Sequence, residues 1–381
     1  MNAGLEIQLI AVIVAVACAL PGVFLVLRKM AMMTDAITHT ILLGIVLAFF
    51  IVHDLSSPLL IIGAAIVGVL TVFFTEVLNS TRLVSEDSAI GIVFPFLFSI
   101  AIIIISRYAG SVHLDTDSVL LGELAFAPFN RFVVFGVDIG AKAIYSMGAI
   151  LILNLLFVIF LFKELKIITF DPGLATVLGF SPAVIHYSLM TIVSITAVGA
   201  FESVGSILVI AFMIGPPITA YLLTDDLKKM IILSALIGAA NGVLGYQLAA
   251  FFDVSIAGSM SLMTGILFLI IFLIAPERGF VTIVRRRKGQ KILFAQNAML
   301  FHLYNHENDL DEVSECGVDT IERHLHWNAK SLELTMKKLQ KEKKIYIEDN
   351  IIKLTEYGRE HAIKSYQDIT SGPSMKEGLE S

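Results

Sequence analysis

Apolar runs separated by short polar connections fill the chain up to about Pro276, and from Arg285 onward charged residues become dense. Runs near the roughly 20 residues that cross a bilayer fall at about 5–27, 36–52, 58–78, 89–106, 141–162, 184–200, 204–223, 229–251 and 261–275. Several are short, so eight to ten spans is the range and nine the working number. The periodicity therefore predicts an all-α polytopic membrane domain over 1–284, followed by a small α+β domain over 285–365 and a flexible tail over 366–381.

Lys and Arg set the orientation. Arg28 and Lys29, Arg82, Lys163 and Lys166, Lys228 and Lys229, and Arg285 to Lys288 all follow odd-numbered spans. The connections 53–57, 201–203 and 252–260 hold no Lys or Arg, and the long 107–140 connection, with Arg107 and Arg131, is the exception. Nine spans with the N-terminus outside and the C-terminus in the cytoplasm satisfy this pattern. The expected location is the cytoplasmic membrane, crossed many times. The segment Met1 to Glu6 carries an acid and no basic cluster, so no cleaved signal peptide is expected.

Composition sharpens the division. The chain is 56% hydrophobic and 16% charged, with a mean hydropathy of +0.83, far from the roughly one-quarter charged residues of a soluble domain. The net charge of −6 averages over unlike compartments and identifies no partner. Cys18 lies in the first apolar run and Cys316 in the tail, so no disulfide framework is expected. Small residues such as Gly63, Ala64, Ala65 and Gly68, or Gly238, Ala239, Ala240 and Gly242, read as close helix packing.

Four constellations carry candidate chemistry. Asp35 and His39 are four apart and share one helix face. Ionisable groups in or beside a span face the bundle interior or a water-filled path. An oxygen and a nitrogen ligand suit Mn(II), Fe(II) or Zn(II); a structural hydrogen-bonded pair fits the spacing equally well. The outward segment Val112 to Glu123 places His113, Asp115 and Asp117 in alternation, with Glu123 closing it. It reads as a metal-entry or partner-docking stretch, or as a solvated loop. Glu202, at the outer ends of spans six and seven, reads as a ligand, a gate or an interfacial charge.

Asp171 and Pro172 form a helix start, and Ala175 and Gly179 offer a small-residue face before Ser181-Pro182 ends the segment. A capped cytoplasmic helix of this kind can receive force from an ATPase. Gly215-Pro216-Pro217 is expected to interrupt the seventh span in the manner of transport paths, or to kink it. No Gly-Lys dipeptide occurs, so the chain carries no Walker loop. If ATP drives transport, the ATPase is a separate chain.

In their order these motifs resemble the ABC-3 permeases for manganese, zinc and iron, over about residues 5–280. Arg28 to Gly44 is similar to that family's S-D-A-x-S-H-x-x-x-x-G. Ala89 to Glu123 resembles its manganese/iron branch, Asp171 to Phe180 its coupling segment, and Val204 to Thr224 the late V-G-x-x-L-V-x-A-x-x-x-x-P-A-x-T-A signature. Thr34 and Thr38 stand where serines are usual, and Pro217 where alanine is common.

The resemblance implies a permease that homodimerises, or pairs with a related permease, above cytoplasmic ATP-binding subunits. An extracytoplasmic metal-binding lipoprotein or periplasmic protein would deliver the ion. It also implies that Asp35 and His39 hold the transported metal and that no cofactor is permanently bound. An ATP-independent secondary transporter and a membrane-tethered metal-responsive regulator are the competing classes.

In the tail, Ile292 to His302 reads as a helix, and Asn328 caps another carrying Leu332, Met336 and Leu339. Ile345 to Glu348 and Ile351 to Thr355 flank an Asp349-Asn350 turn, a hairpin signal. This order resembles a winged-helix module, and Leu354 to Ala362 is similar to the wing exit of diphtheria-toxin-repressor-type regulators. Acids such as Glu307, Asp309, Asp311, Glu312 and Glu315 offset the lysines. Nucleic acid, which demands a positive stripe, is thus the less expected partner. His302, His306, His324 and His326 are read as scattered surface residues rather than a metal site.

Overall fold

The computed structural model describes residues 3–53, 57, 59–108, 124–134, 137–309 and 311–370. The chain divides into two compact units, Met1–Phe280 and Val281–Ser381. The division falls just before the expected one, because a helix begins at Phe280, ahead of the basic cluster that marked the change in composition.

In the first unit α1 spans Ala3–Leu27, α2 Ala31–Val52, α3 Leu59–Ser80 and α4 Glu86–Tyr108. After a 3-10 turn at Leu124–Phe129, an antiparallel hairpin of β1 (Arg131–Val134) and β2 (Val137–Ala141) leads into α5, Lys142–Phe160. Two short helices follow, α6 (Phe162–Phe170) and α7 (Pro172–Val177). Then come α8 (Pro182–Val204), α9 (Ser206–Tyr221), α10 (Leu227–Phe252) and α11 (Ile256–Ile274). Eight of these helices are long and apolar enough to cross a membrane, and α9 is a shorter apolar one. Together they occupy the nine expected span positions.

Helix α1 forms the centre of the unit. Its residues from Ile10 through Leu25 include a nearly continuous buried set, which is why it is apolar all round rather than on one stripe. Where backbones meet, glycine is required. A Cβ on Gly22 would lie 2.0 Å from the Met213 carbonyl oxygen of α9, and one on Gly44 would lie 2.5 Å from Ala64 Cα of α3. Lacking a hydrophobic drive between helices in lipid, such close van der Waals packing is a main source of association.

The expected interruption at Pro216-Pro217 does not occur. Helix α9 runs unbroken from Ser206 to Tyr221 with both prolines buried inside it. The two missing N–H groups free the carbonyls of Phe212 and Met213, yet the surrounding helices hold the segment in helical geometry. Membrane helices tolerate proline in this way when their neighbours compensate.

Polar pairs show which helix ends lie together. Arg131 of β1 donates from Nη1 to Glu6 Oε2 of α1 and from Nε to Asp138 Oδ2 of β2, each at 2.8 Å. Lys142 at the start of α5 lies 3.8 Å from Glu202 near the end of α8. At the opposite end, Arg28 meets His186 and Arg278 pairs with Asp225. Each pairing joins helix ends that alternating spans would put on one side. Arg131, the exception to the charge rule, is a pin holding the hairpin to α1.

The second unit comprises α12 (Phe280–Asn305), α13 (Glu312–Glu315), α14 (Ile321–Leu325), α15 (Ala329–Lys341), β3 (Ile345–Glu348), β4 (Ile351–Leu354) and α16 (Glu356–Thr370). Asn328 caps α15 by accepting from Ser331 N at 2.8 Å. Leu332 and Leu339 of α15 join Met299, Leu300, Leu303, Ile321 and Ile352 in one core. Strands β3 and β4 pair antiparallel across Asp349 and Asn350, both at positive φ (50° and 64°), as the tight two-residue hairpin turn requires. Helix α16 continues to Thr370, past the expected domain end at 365.

Candidate functional site

Helix α2 starts at Ala31, earlier than hydropathy alone suggested, so Asp35 and His39 both lie within it. One helical turn brings His39 Nε2 to 3.3 Å from Asp35 Oδ1, with the side chains 27% and 35% exposed respectively. Two atoms bound to one ion at about 2.1 Å stand about 3.0–3.4 Å apart at octahedral or tetrahedral angles. The observed spacing already matches. The imidazole is walled by Phe94 and Phe98 of α4, at ring-centroid separations of 5.1 and 5.9 Å. These rings limit its rotation and lower the local dielectric.

The pair is incomplete as an ion cage. Among the described residues, no third His, Cys, Asp or Glu side chain joins Asp35 and His39 in a metal-sized group. Glu202 sits near the far end of α8, beside Lys142 and more than half exposed, and is not brought to the pair. His113, Asp115, Asp117 and Glu123 lie outside the described residues.

A neighbouring cluster was not singled out from the sequence. Arg28, between α1 and α2, donates from Nη2 to His186 Nδ1 of α8 at 2.8 Å. A guanidinium only donates, so Nδ1 carries the lone pair and the ring proton sits on Nε2. That nitrogen lies 2.5 Å from Glu76 Oε1 of α3, close but off the hydrogen-bonding line. Tyr187, next to His186 in α8, lies against Glu76 as well. The available signal was an acid and a histidine inside apolar runs, which is costly unless partnered.

Between α6 and α8 the chain makes a short, well-closed helix. Asp171 Oδ1 accepts from Leu174 N at 2.9 Å, and Pro172 opens α7. At its other end Phe180 N donates to Ala175 O and Gly179 N to Thr176 O, each at 3.0 Å. This is the paired closure that needs a left-handed residue, supplied by Gly179 at φ +86°.

Two expectations change here. Ala175 is fully buried and Gly179 lies beyond the helix, so they do not form an exposed small-residue face. The exposed surface is apolar, made by Phe170, Leu174, Val177 and Leu178, with Val177 84% exposed. Ser181 and Pro182 do not end α7; they open α8, with Pro182 in its first turn. A shallow groove beside this surface is lined by Lys163, Lys166, Ile167, Phe170, Asp171 and Leu174.

Comparison with known proteins agrees with this architecture. The ABC 3 transport family matches residues 5–275. The zinc transport system membrane protein TroD of Treponema pallidum is 43% identical over 86% of this chain and 89% of its own length. The manganese transport system membrane protein MntD of Bacillus subtilis is 48% identical over 71% of this chain and 92% of its own. Among solved structures, PsaBC from Streptococcus pneumoniae in complex with Fab aligns with a TM-score of 0.62 at 30% identity, covering 74% of this chain and 95% of that one. With the family matched over residues 5–275, a range that takes in nearly the whole first unit, the chain belongs to the ABC 3 transport family.

Proposed function

We propose that Asp35 and His39 form the intramembrane stopping point for a divalent transition-metal ion. The protein is the permease subunit of a metal-ion ATP-binding-cassette importer, a membrane subunit whose ATPase is a separate chain. Relatives named for zinc and manganese and an oxygen–nitrogen ligand pair both favour Mn(II), Fe(II) or Zn(II) as cargo.

The observation that carries the reading is the 3.3 Å separation of the two ligand atoms. Because the described residues of one chain bring two such side chains together and such ions take four to six ligands, a second copy or a related permease completes the shell. Metal delivered by an extracytoplasmic binding protein enters past the 113–123 segment, with Glu202 as an acid at the same outer end. The exposed apolar face of α7 receives the ATPase on the cytoplasmic side.

Motion then passes along a physical connection. Helix α8 begins directly after α7 and carries His186, which holds Arg28, and Arg28 leads into α2 a few residues before Asp35. The second unit reads as a cytoplasmic winged-helix module. Its helices followed by the β3–β4 hairpin and α16 support this reading. Acids among its lysines favour protein contact or metal-responsive regulation over DNA.

Uptake of labelled manganese or zinc into proteoliposomes holding permease and ATPase tests the class. The reading expects uptake that requires both ATP hydrolysis and the binding protein. Uptake persisting without ATP would instead assign a secondary transporter.

A further inference from the structure

We propose that the second unit holds a metal site of its own, in which His302, His306 and Glu315 bind a divalent ion of the zinc class. The tail histidines, expected to be scattered, in part converge. His302 lies in the last turn of α12 and His306 just beyond it, four residues on, so their rings neighbour one another on one face, with centroids 4.8 Å apart and planes tilted by 52°. The chain then turns through α13, and Glu315 at its end returns to the same place. One ligand atom from each of the three residues lies within 4.8 Å of the others. His302 Nε2 is 3.0 Å from the Glu315 carbonyl oxygen and 3.8 Å from its carboxylate.

His324 of α14 supplies the supporting contact. Its Nδ1 lies 2.9 Å from Glu315 Oε2, and its ring stacks 6.2 Å from that of His302. The oxygen that His324 holds, Oε2, is also the one 3.8 Å from His302 Nε2, so His324 fixes where the carboxylate sits beside the ligand imidazoles, as contacts outside the ligand set do for metal ligands. We assign His324 as a positioning residue. His326 is not part of the group.

A second observation points to an ion rather than to ion pairs alone. His306 Nδ1 is buried and makes no hydrogen bond; its contact with Asp309 Oδ2 stands at 3.9 Å, too long for one. A buried imidazole nitrogen without a hydrogen bond is costly, and a metal would satisfy it. The neighbouring thiol is not in the group: Cys316 is buried in the core of the unit. The group is two imidazoles and a carboxylate, a nitrogen-rich set that suits Zn(II) better than Mn(II). A tetrahedral ion with bonds of about 2.1 Å needs ligand atoms roughly 3.4 Å apart, so the three side chains close by about an ångström on binding.

The test uses the full chain in detergent with Asp35→Ala and His39→Ala installed, so that failure here and failure of the transport reading are distinguishable. Co(II) is the probe. The expected result is one Co(II) per chain with the visible bands of a low-coordinate site, bleached by Zn(II). His302→Ala with His306→Ala should weaken binding at least tenfold, Glu315→Gln at least tenfold, and His324→Gln severalfold. In the unaltered sequence, Zn(II) should protect His302 and His306 from carbethoxylation, read by peptide mass, which removes any question of misfolded variants. No Co(II) bound, binding unchanged by the double substitution, or no protection of the two histidines would each overturn the assignment.

Discussion

Arg28 and His186, 158 residues apart in the chain, are joined by a hydrogen bond of 2.8 Å from the guanidinium to the imidazole Nδ1. The contact ties the α1–α2 junction to the first turns of α8, and Glu76 beside the ring extends it to α3. Replacing Arg28 by alanine strips a largely buried imidazole of its donor. Such a loss costs about 1–3 kcal/mol. The expected outcome is a fall of several degrees in thermal midpoint, together with ATPase activity less tightly coupled to uptake. Arg28→Ala protein that matches the parent in both would remove this link from the mechanism.

Gly22 and Gly91 offer a matched pair. An alanine at Gly22 drives its Cβ into the Met213 carbonyl, whereas Gly91 has nothing within 4 Å of the same atom. Overpacking of this kind costs about 1–3 kcal/mol, against roughly 0.5 kcal/mol or less for a substitution that meets nothing. Thermal unfolding in detergent should separate Gly22→Ala from Gly91→Ala accordingly.

Helix α7 depends on Gly179, whose φ of +86° costs an L-residue about 1 kcal/mol or more. Gly179→Ala should loosen the segment while the long helices remain intact. Val177→Asp acts differently, placing charge on the exposed apolar face without touching the helix. It should lower ATPase retention in affinity co-purification at least tenfold while the permease itself stays folded.

The spans and the hairpin turn were legible because bilayer thickness and turn geometry impose local rules. Runs of apolar residues near the required length, and Asp349-Asn350 between β-formers, each announce themselves. The Asp35–His39 pair was legible for the same reason, since one helical turn fixes the neighbour.

What escaped was set by tertiary packing. Nothing near Arg28 indicates His186, and nothing near Arg131 indicates Glu6. Hydropathy placed the start of α2 at the first apolar residue, although the helix already includes Thr34 and Asp35. The proline pair predicted a break on local grounds, and neighbouring helices overrode it. In the tail, the four-residue spacing of His302 and His306 was visible. The return of Glu315 and His324 depends on how α13 and α14 turn back.

The single tryptophan, Trp327, belongs to the second unit, so intrinsic tryptophan fluorescence reports that unit alone. Glu342 there is held below the usual carboxylate range, first by its hydrogen bond from Lys344, at 2.9 Å, and further by Gln296, against the opposing effect of burial. A depressed carboxylate contributes stability above its unfolded value and loses it as pH falls through the folded one. Urea unfolding followed at Trp327 should therefore weaken from pH 5 downward, as estimated from the usual carboxylate range of about 4. Glu342→Gln should remove part of that slope, and an unchanged slope would assign the acid sensitivity elsewhere.

Cys316 gives a chemical check on the same unit. Because its thiol is buried and raised to about 11, the thiolate that reacts is scarce at neutral pH. Maleimide at pH 7 should leave Cys316 unlabelled in the folded chain and label it fully in denaturant, read by mass. Rapid labelling of the folded chain would show that the core around it opens.

The assembled complex in proteoliposomes, with His39→Ala in the permease, tests the metal stopping point most directly. Labelled-metal uptake should fall to the level of empty vesicles while the ATPase still co-purifies and the thermal midpoint is kept. Uptake at the parent rate by that assembly would contradict the role given to Asp35 and His39.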